Sequence, residues 1–221
     1  MANTKNFANL KDDIADWLVP SGGATNLASR VVDFVMLAEE LHKWGDPDSD
    51  PPMPGIRCQA MLKRGQTPGV DTRYLALPVD YLDMRYLRID SSTDDGKLYQ
   101  VPHESMDRTP NQQSIEQYAI GREIEFNAVV PRTTTLEMLY YAPFEPLSAD
   151  TDTNWLLNNC YSAYLYGALI HAAPYLKDDE RTVVWSELYV NAVTRLQGSD
   201  KRSRVNKGEQ KVTINKRYLG P

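Results

Sequence analysis

The sequence predicts a mainly α protein of the α+β class: a bundle of about four main helices, a small antiparallel β subdomain inserted among them, and an extended C-terminal arm. Three observations carry this. Apolar residues recur at three- and four-residue spacing near both ends of the chain. Short β-prone runs bounded by turn formers fill the middle, and the residues from Ser199 onward are too polar to bury themselves.

The first helix is expected over 6–19, where Phe7, Leu10, Ile14, Trp17 and Leu18 share a face and Asp12, Asp13 and Asp16 lie largely elsewhere. Pro20, Gly22 and Gly23 end it. Thr25 can cap a second helix over 25–44, whose stripe is Leu27, Val31, Phe34, Val35, Ala38 and Leu41, so the two form an N-terminal hairpin. From Gly45 to Gly55 the composition turns to Pro, Asp, Ser and Gly and predicts a surface loop. Ile56 to Lys63 reads as a short helix or an extended piece.

The β insertion is expected over about 73–142, in runs at Tyr74–Leu77, Met84–Ile89, Lys97–Val101, Gln117–Ile120, Glu123–Ala128 and Thr134–Tyr141. Asp94-Asp95-Gly96 and Gly121 punctuate neighbouring runs, which can pair as antiparallel hairpins, and Pro102 to Arg108 suits a helical turn. Helical spacing returns over 154–173, with Asp152 or Thr153 to cap it, and Pro174 should end or kink that helix. Asp178 can cap a last helix over 179–197, carrying Val184, Trp185, Leu188, Tyr189, Ala192 and Leu196 and stopping at Gly198. Residues 1–198 thus make a body and 199–221 an arm, in which Val212 and Ile214 alternate with Lys211, Thr213 and Asn215 as a strand added to a partner's sheet edge would.

With 42% apolar residues the chain of 221 can bury a real core, and no run reaches the roughly eighteen apolar residues of a membrane span. The first thirty residues lack the basic start and apolar stretch of a leader, so a protein that is neither exported nor membrane-bound is expected. Cys58 and Cys160 stand far apart and read as reduced, buried thiols. Charge is uneven: residues 199–221 hold seven Lys or Arg against two Asp or Glu, a net of +5, so 1–198 carry −11 of a total of −6. Such a body repels polyanions, which leaves the arm as the one plausible polyanion contact.

Little in the sequence points to catalysis. Neither GxGxxG nor GxxxxGK is present, and the possible bases His42, His103 and His171 fall on different expected elements. Asp46, Asp48 and Asp50 imitate the opening of a calcium loop, but Pro51 stands where glycine is needed and Arg57 where a bidentate carboxylate should close the shell. His103, Glu104 and Asp107 resemble a zinc helix without its second histidine. Solvated surface loops explain both better. Tyr161, Tyr164, Tyr166 and Tyr175 can be imagined as a base-stacking platform, yet helical spacing makes Tyr161 and Tyr164 core-facing, and core or subunit interface is the favoured reading of the cluster. No catalytic residue, cofactor or metal is expected.

The block from Thr153 to Trp185, with its NWLL opening, YLYGAL helix, AAPYL break and DDER restart, resembles the head-to-tail adaptor family of tailed bacteriophages. Trp155, Leu156, Tyr164, Leu165, Tyr166, Gly167, Ala168, Leu169, Pro174, Tyr175 and Leu176 carry that motif. LPVDYLDMRYLRI from Leu77, LKDDIADWL and VVDFVMLAEE resemble the family's strand-opening segment and opening hairpin, and the resemblance runs from about Leu10 to Gln197.

It implies a non-enzymatic virion protein in the head-tail neck: a ring of twelve copies against the portal protein, with tail or nozzle proteins on its other face. Double-stranded DNA passes through without specific binding, and the C-terminal tail reaches into the portal. Arg202, Arg204, Lys207, Lys211, Lys216 and Arg217 would dock on acidic portal surface, Val212 and Ile214 on a portal strand, with Tyr218 beside them. Competing readings are another head-closure or tail-terminator ring, a helical DNA-binding regulator with a basic tail, and an enzyme of unlisted type.

Overall fold

The computed structural model describes residues 5–18, 25–90, 96–107, 114–176 and 179–205, with backbone only at 25–29, 176, 179–180 and 204–205. Helices α1 (Phe7–Leu18), α2 (Thr25–Trp44), α3 (Trp155–Asn159), α4 (Tyr161–Leu176) and α5 (Asp179–Val205) form one layer. Strands β1 (Leu62–Pro68), β2 (Thr72–Ala76), β3 (Asp83–Ile89), β4 (Tyr99–Gln100), β5 (Gln117–Ile120), β6 (Glu123–Val130) and β7 (Thr135–Tyr141) form two sheets.

α1 buries Phe7, Leu10, Ile14 and Leu18, one residue per turn. Its start is closed by Asn6 and Asn9, each side chain accepting the other's backbone N–H, while the N–H groups of Phe7 and Ala8 donate to the carbonyls of Asp152 and Asp150. α2 buries Val31, Phe34, Val35, Ala38 and Leu41 and ends at Gly45, whose φ of +71° suits the residue after a helix. α4 lies between α1, α2 and α5, and its Ala168, Leu169, Ala172 and Ala173 are fully buried.

The sheets run β1-β7-β3 and β2-β6-β5-β4, antiparallel throughout except β4 against β5. Alternate residues of β7 and β6 face each other: Leu136, Met138 and Tyr140 from one, Ile124, Phe126, Ala128 and Val130 from the other, joined by Leu75, Leu87 and Tyr118. A second core gathers the helices with Met61, Leu82, Tyr141 and Leu147, so the Tyr141 end of the three-stranded sheet rests on the helix layer. Gly69 is required between β1 and β2, because a Cβ there would sit 2.1 Å from the carbonyl oxygen of Pro131.

These features correct the expected mainly α bundle of about four helices. Among the described residues the fold is α+β, with seven strands in two sheets and five helices. Several elements shift with it. The β region begins at Leu62 rather than near residue 73, because β1 (LKRGQTP) earns its place by backbone pairing with β7 and not by apolar alternation. The helix expected over 154–173 is divided at Cys160, and it runs on through Pro174 to Leu176. The proline costs one bond in the last turn, which buried Ala172 and Ala173 and the Phe34–Tyr175 ring contact hold in place.

The helix expected to stop at Gly198 continues to Val205, so residues 199–205 are helical and not extended. A glycine costs a helix only about 1 kcal/mol, and here tertiary bonds offset it: Gln197 donates to the Gly55 carbonyl at 2.8 Å, the Gln59 N–H to Asp200 at 2.9 Å, and the Gln59 side chain to Ser203 at 3.2 Å. Lys97–Val101 is reduced to the two-residue β4, although Lys97 does bridge to Arg88 as a hairpin would. The β5–β6 hairpin around Gly121 forms as expected, and Pro102–Arg108 contributes a 3-10 turn at His103–Ser105. The caps expected from Thr25 and Asp178 lie outside the described side chains.

Candidate functional site

The motif block folds around a closed polar network. Asn154 precedes α3 in extended geometry, and its side-chain oxygen accepts the Leu157 N–H at 2.9 Å. It is the cap, in place of the expected Asp152 or Thr153; Asp152 instead turns the preceding loop by accepting the N–H groups of Ser148 and Ala149. The Asn154 amide donates to the Glu145 carbonyl at 2.8 Å and to the Tyr164 hydroxyl at 2.7 Å, and that hydroxyl donates to Glu39 at 3.3 Å. Glu39 also accepts the Leu147 N–H at 2.9 Å. One α4 tyrosine therefore ties α2 to both sides of the loop before α3.

Burial governs the titration of this cluster. It pushes the Glu39 carboxyl up, against the Leu147 N–H, Lys43 and the Tyr164 hydroxyl, and it pushes the Tyr164 phenol up as well. His42 lies edge-on to the Tyr164 ring at 4.7 Å and stacks on Tyr189 at 6.0 Å, with its Nε2 3.3 Å from the Ala163 carbonyl. Burial, reinforced by nearby His171 and Lys43, takes its imidazole down to about 4. Gly167 explains how α2 comes so near: a Cβ there would lie 3.1 Å from that of Ala38 and 3.5 Å from the His42 Nε2.

The remaining motif residues divide by direction. Leu156, Leu165, Ala168 and Leu169 are core. Tyr166 meets the edge of half-exposed Trp17, Tyr175 is 52% exposed against Phe34, and Pro174 sits within α4. Leu176 ends α4, its side chain outside the described set. Tyr161 donates to Asp13, which Lys5 also holds; burial and that carboxylate raise the phenol. The four tyrosines share no stacking surface. Trp155 stacks on Phe144 at 5.7 Å and, with Cys160, Tyr161, Arg195, Leu196 and Asp200, lines an open groove of about 780 Å³ beside α5.

Of the nine residues expected to meet a portal, Arg202 is exposed near the end of α5 and Arg204 lies in the same helix. Lys207, Lys211, Val212, Ile214, Lys216, Arg217 and Tyr218 lie outside the described residues. In the acidic loop Asp46 bridges to Met53 and its carboxylate accepts the Asp48 N–H at 3.3 Å. His103 turns to Glu125 at 3.2 Å. Among the described residues no group of three or more His, Cys, Asp or Glu is placed to hold a metal ion, and no helix is long and apolar enough to cross a membrane. Cys58 is buried, Cys160 half-buried, and no disulfide joins them.

A second cluster escaped the sequence reading. On the outer face of β7, Glu137 is 4% exposed, and it accepts the Tyr86 hydroxyl at 2.7 Å and an Arg88 N–H at 2.9 Å, with the Arg64 Nε 3.4 Å away. The Arg88 and Tyr86 bonds hold its carboxyl below the ordinary value. The one available signal was an acid in the middle of the apolar run TLEMLYY.

Two comparisons bear on the whole chain. The family model described as SU10 adaptor protein matches residues 5–209. No curated protein matches the chain.

Proposed function

The chain belongs to the SU10 adaptor protein family, a family of phage head-to-tail adaptors, and from that premise we propose that it is a structural virion protein forming a twelve-copy ring between portal and tail. The span of the family match carries this reading, because residues 5–209 take in the helix layer and the β-sandwich together.

Charge and surface support it. A body of net −11 makes a channel wall that DNA passes without sticking. Closed rings need heterologous contacts between unlike surfaces, and the helix layer exposes apolar side chains suited to them: Met36, Leu37 and Trp44 along α2, with Tyr175, Val183 and Val184 around the α4–α5 turn.

The portal contact falls to Arg202, Arg204 and the segment beyond Val205, where Lys207, Lys211, Lys216 and Arg217 meet acidic portal surface, Val212 and Ile214 add to a portal strand, and Tyr218 lies beside them. Tail or nozzle proteins take the other face. The role is assembly in the virion neck after synthesis in the host cytoplasm, without catalysis.

Electron microscopy of the protein mixed with its phage's portal tests this. A twelve-fold layer added to the portal is expected; bare portal rings would overturn it. Deleting residues 206–221 should remove the layer and leave the circular dichroism and melting of the body unchanged, while unaltered assembly would refute the arm's role. Attachment only after another neck protein has bound would favour a head-closure ring.

A further inference from the structure

The outer edges of the two sheets are finished differently. β3 is covered by Gly96 to Leu98: the Ile89 N–H donates to the Gly96 carbonyl at 2.7 Å and the Leu98 N–H to the Leu87 carbonyl at 3.2 Å. β2 is closed by Thr72, whose hydroxyl donates to the Tyr74 carbonyl at 2.9 Å and accepts the Tyr74 N–H at 3.2 Å. β4 is only two residues long. These are ordinary protections against stray pairing.

β1 has no such cover among the described residues. Its register with β7, with bonds from the Ala142 N–H to the Met61 carbonyl and from the Gly69 N–H to the Thr134 carbonyl, makes 63, 65 and 67 the residues bonded to β7. Residues 62, 64, 66 and 68 turn their backbone groups the other way. The Leu62 N–H is taken by the Gln59 carbonyl and Pro68 has none, which leaves the amides of Arg64 and Gln66 open.

Charged side chains and proline on an edge strand often serve to repel partners. Here they are drawn back over their own sheet: Lys63 reaches Asp80 at 2.6 Å, Arg64 leans toward Glu137, and Pro68 stands at the far end. Gly65 leaves a notch on the inner face, where a Cβ would lie 3.4 Å from Met138 and 3.9 Å from the Tyr140 ring. On the outer face two guanidinium groups share one carboxylate, so Arg64, 65% exposed, keeps uncompensated charge.

We infer that the β1 edge takes up an extended segment of a partner protein as an added strand, with carboxylates beside Arg64 on the outer face and apolar side chains over Gly65 on the inner one. Backbone bonds to Arg64 and Gln66 supply the affinity, and the Arg64 charge and the Gly65 notch the selectivity. The chain's own residues 210–217 alternate suitably but bring Lys211, Lys216 and Arg217 toward Lys63 and Arg64, so charge disfavours the tail of a second copy. This inference does not depend on the ring.

Residue-resolved amide exchange tests it. In the protein alone, Lys63, Gly65 and Thr67 should be protected while Arg64 and Gln66 exchange freely. A seven-residue peptide alternating Glu and Val should slow Arg64 and Gln66 on the order of tenfold or more, and a Lys–Val peptide should not. Gln66→Pro, which removes an outward donor and spares the β7 ladder, should keep the melting temperature and lose the effect at Arg64. Arg64→Glu should reverse the peptide preference. Protection by neither peptide, or by one copying residues 210–217, would overturn the proposal.

Discussion

The molecule holds two polar clusters of similar make-up in opposite settings. Around Tyr164, the phenol, Asn154 and neighbouring His42 are buried inside the helix layer with partly buried Glu39 beside them, and the buried polar groups there must find protein partners. Around Glu137, itself covered, the Tyr86 phenol and two arginines lie on the outer sheet face, with Arg64 well exposed and Arg88 partly so. The same groups should therefore rigidify the fold in the first place and contribute modestly in the second, where solvent screens charge. Assembly surfaces belong to the second kind, since only they have bonding capacity left to offer.

Acid is the strongest way to break the enclosed cluster. With an ordinary imidazole value of 6.5 and about 4 in the fold, His42 is neutral in both folded and unfolded chains above pH 6.5. As pH falls from 6.5 toward 4 the unfolded chain takes up the proton first, so stability declines, by roughly 3 kcal/mol in all. Partly buried His171, whose imidazole burial also lowers, acts in the same direction, whereas the raised Glu39 carboxyl gains stability over the window just above 4.5 and opposes both. Urea midpoints between pH 7 and pH 4.5 should fall steeply for the native protein. His42→Phe should flatten that fall while leaving the fold intact at pH 7, and equal slopes would disprove the assignment.

How far the sequence foretold these clusters depends on what each element rests on. α1, α2, β5 and β7 follow from the spacing of their own apolar residues, and the α4 motif could be named from its letters alone. β1 could not, because Lys63, Arg64 and Gln66 are placed by the β7 ladder and not by burial of their side chains. Gly198 was misread as a stop because the bonds from Gln59 to Asp200 and Ser203 come from 141 or more residues away. Within the site, Tyr164 stands out in the sequence while Glu39 does not, and His42 stands out only as a scattered histidine: periodicity marks which face is buried, but cannot tell which polar residue on a distant helix completes it.

Removing one hydroxyl from each cluster sharpens the contrast. Tyr164→Phe leaves the buried Asn154 amide and the partly buried Glu39 carboxylate each short of a partner, which should cost about 1–3 kcal/mol in chemical denaturation. A loss within error would mean that water or rearrangement satisfies both groups. Gly167→Val, which forces α2 from α4 at Ala38, should cost a similar amount through strain instead, and should broaden the thermal transition.

Tyr86→Phe makes the matching change on the outer sheet face and should have the smallest effect. Glu137 keeps Arg88 at 2.9 Å and Arg64 at 3.4 Å after the hydroxyl is gone, so its carboxylate stays paired. Its loss of stability should be smaller than that of Tyr164→Phe. It should diminish further for an Arg64→Ala, Tyr86→Phe pair measured in about 1 M salt, because screening weakens what is left of the exposed ion pairs. If Tyr86→Phe proved as costly as Tyr164→Phe, the outer cluster would be acting as core, and the β1 edge beside it would be a rigid wall with little to offer an incoming strand.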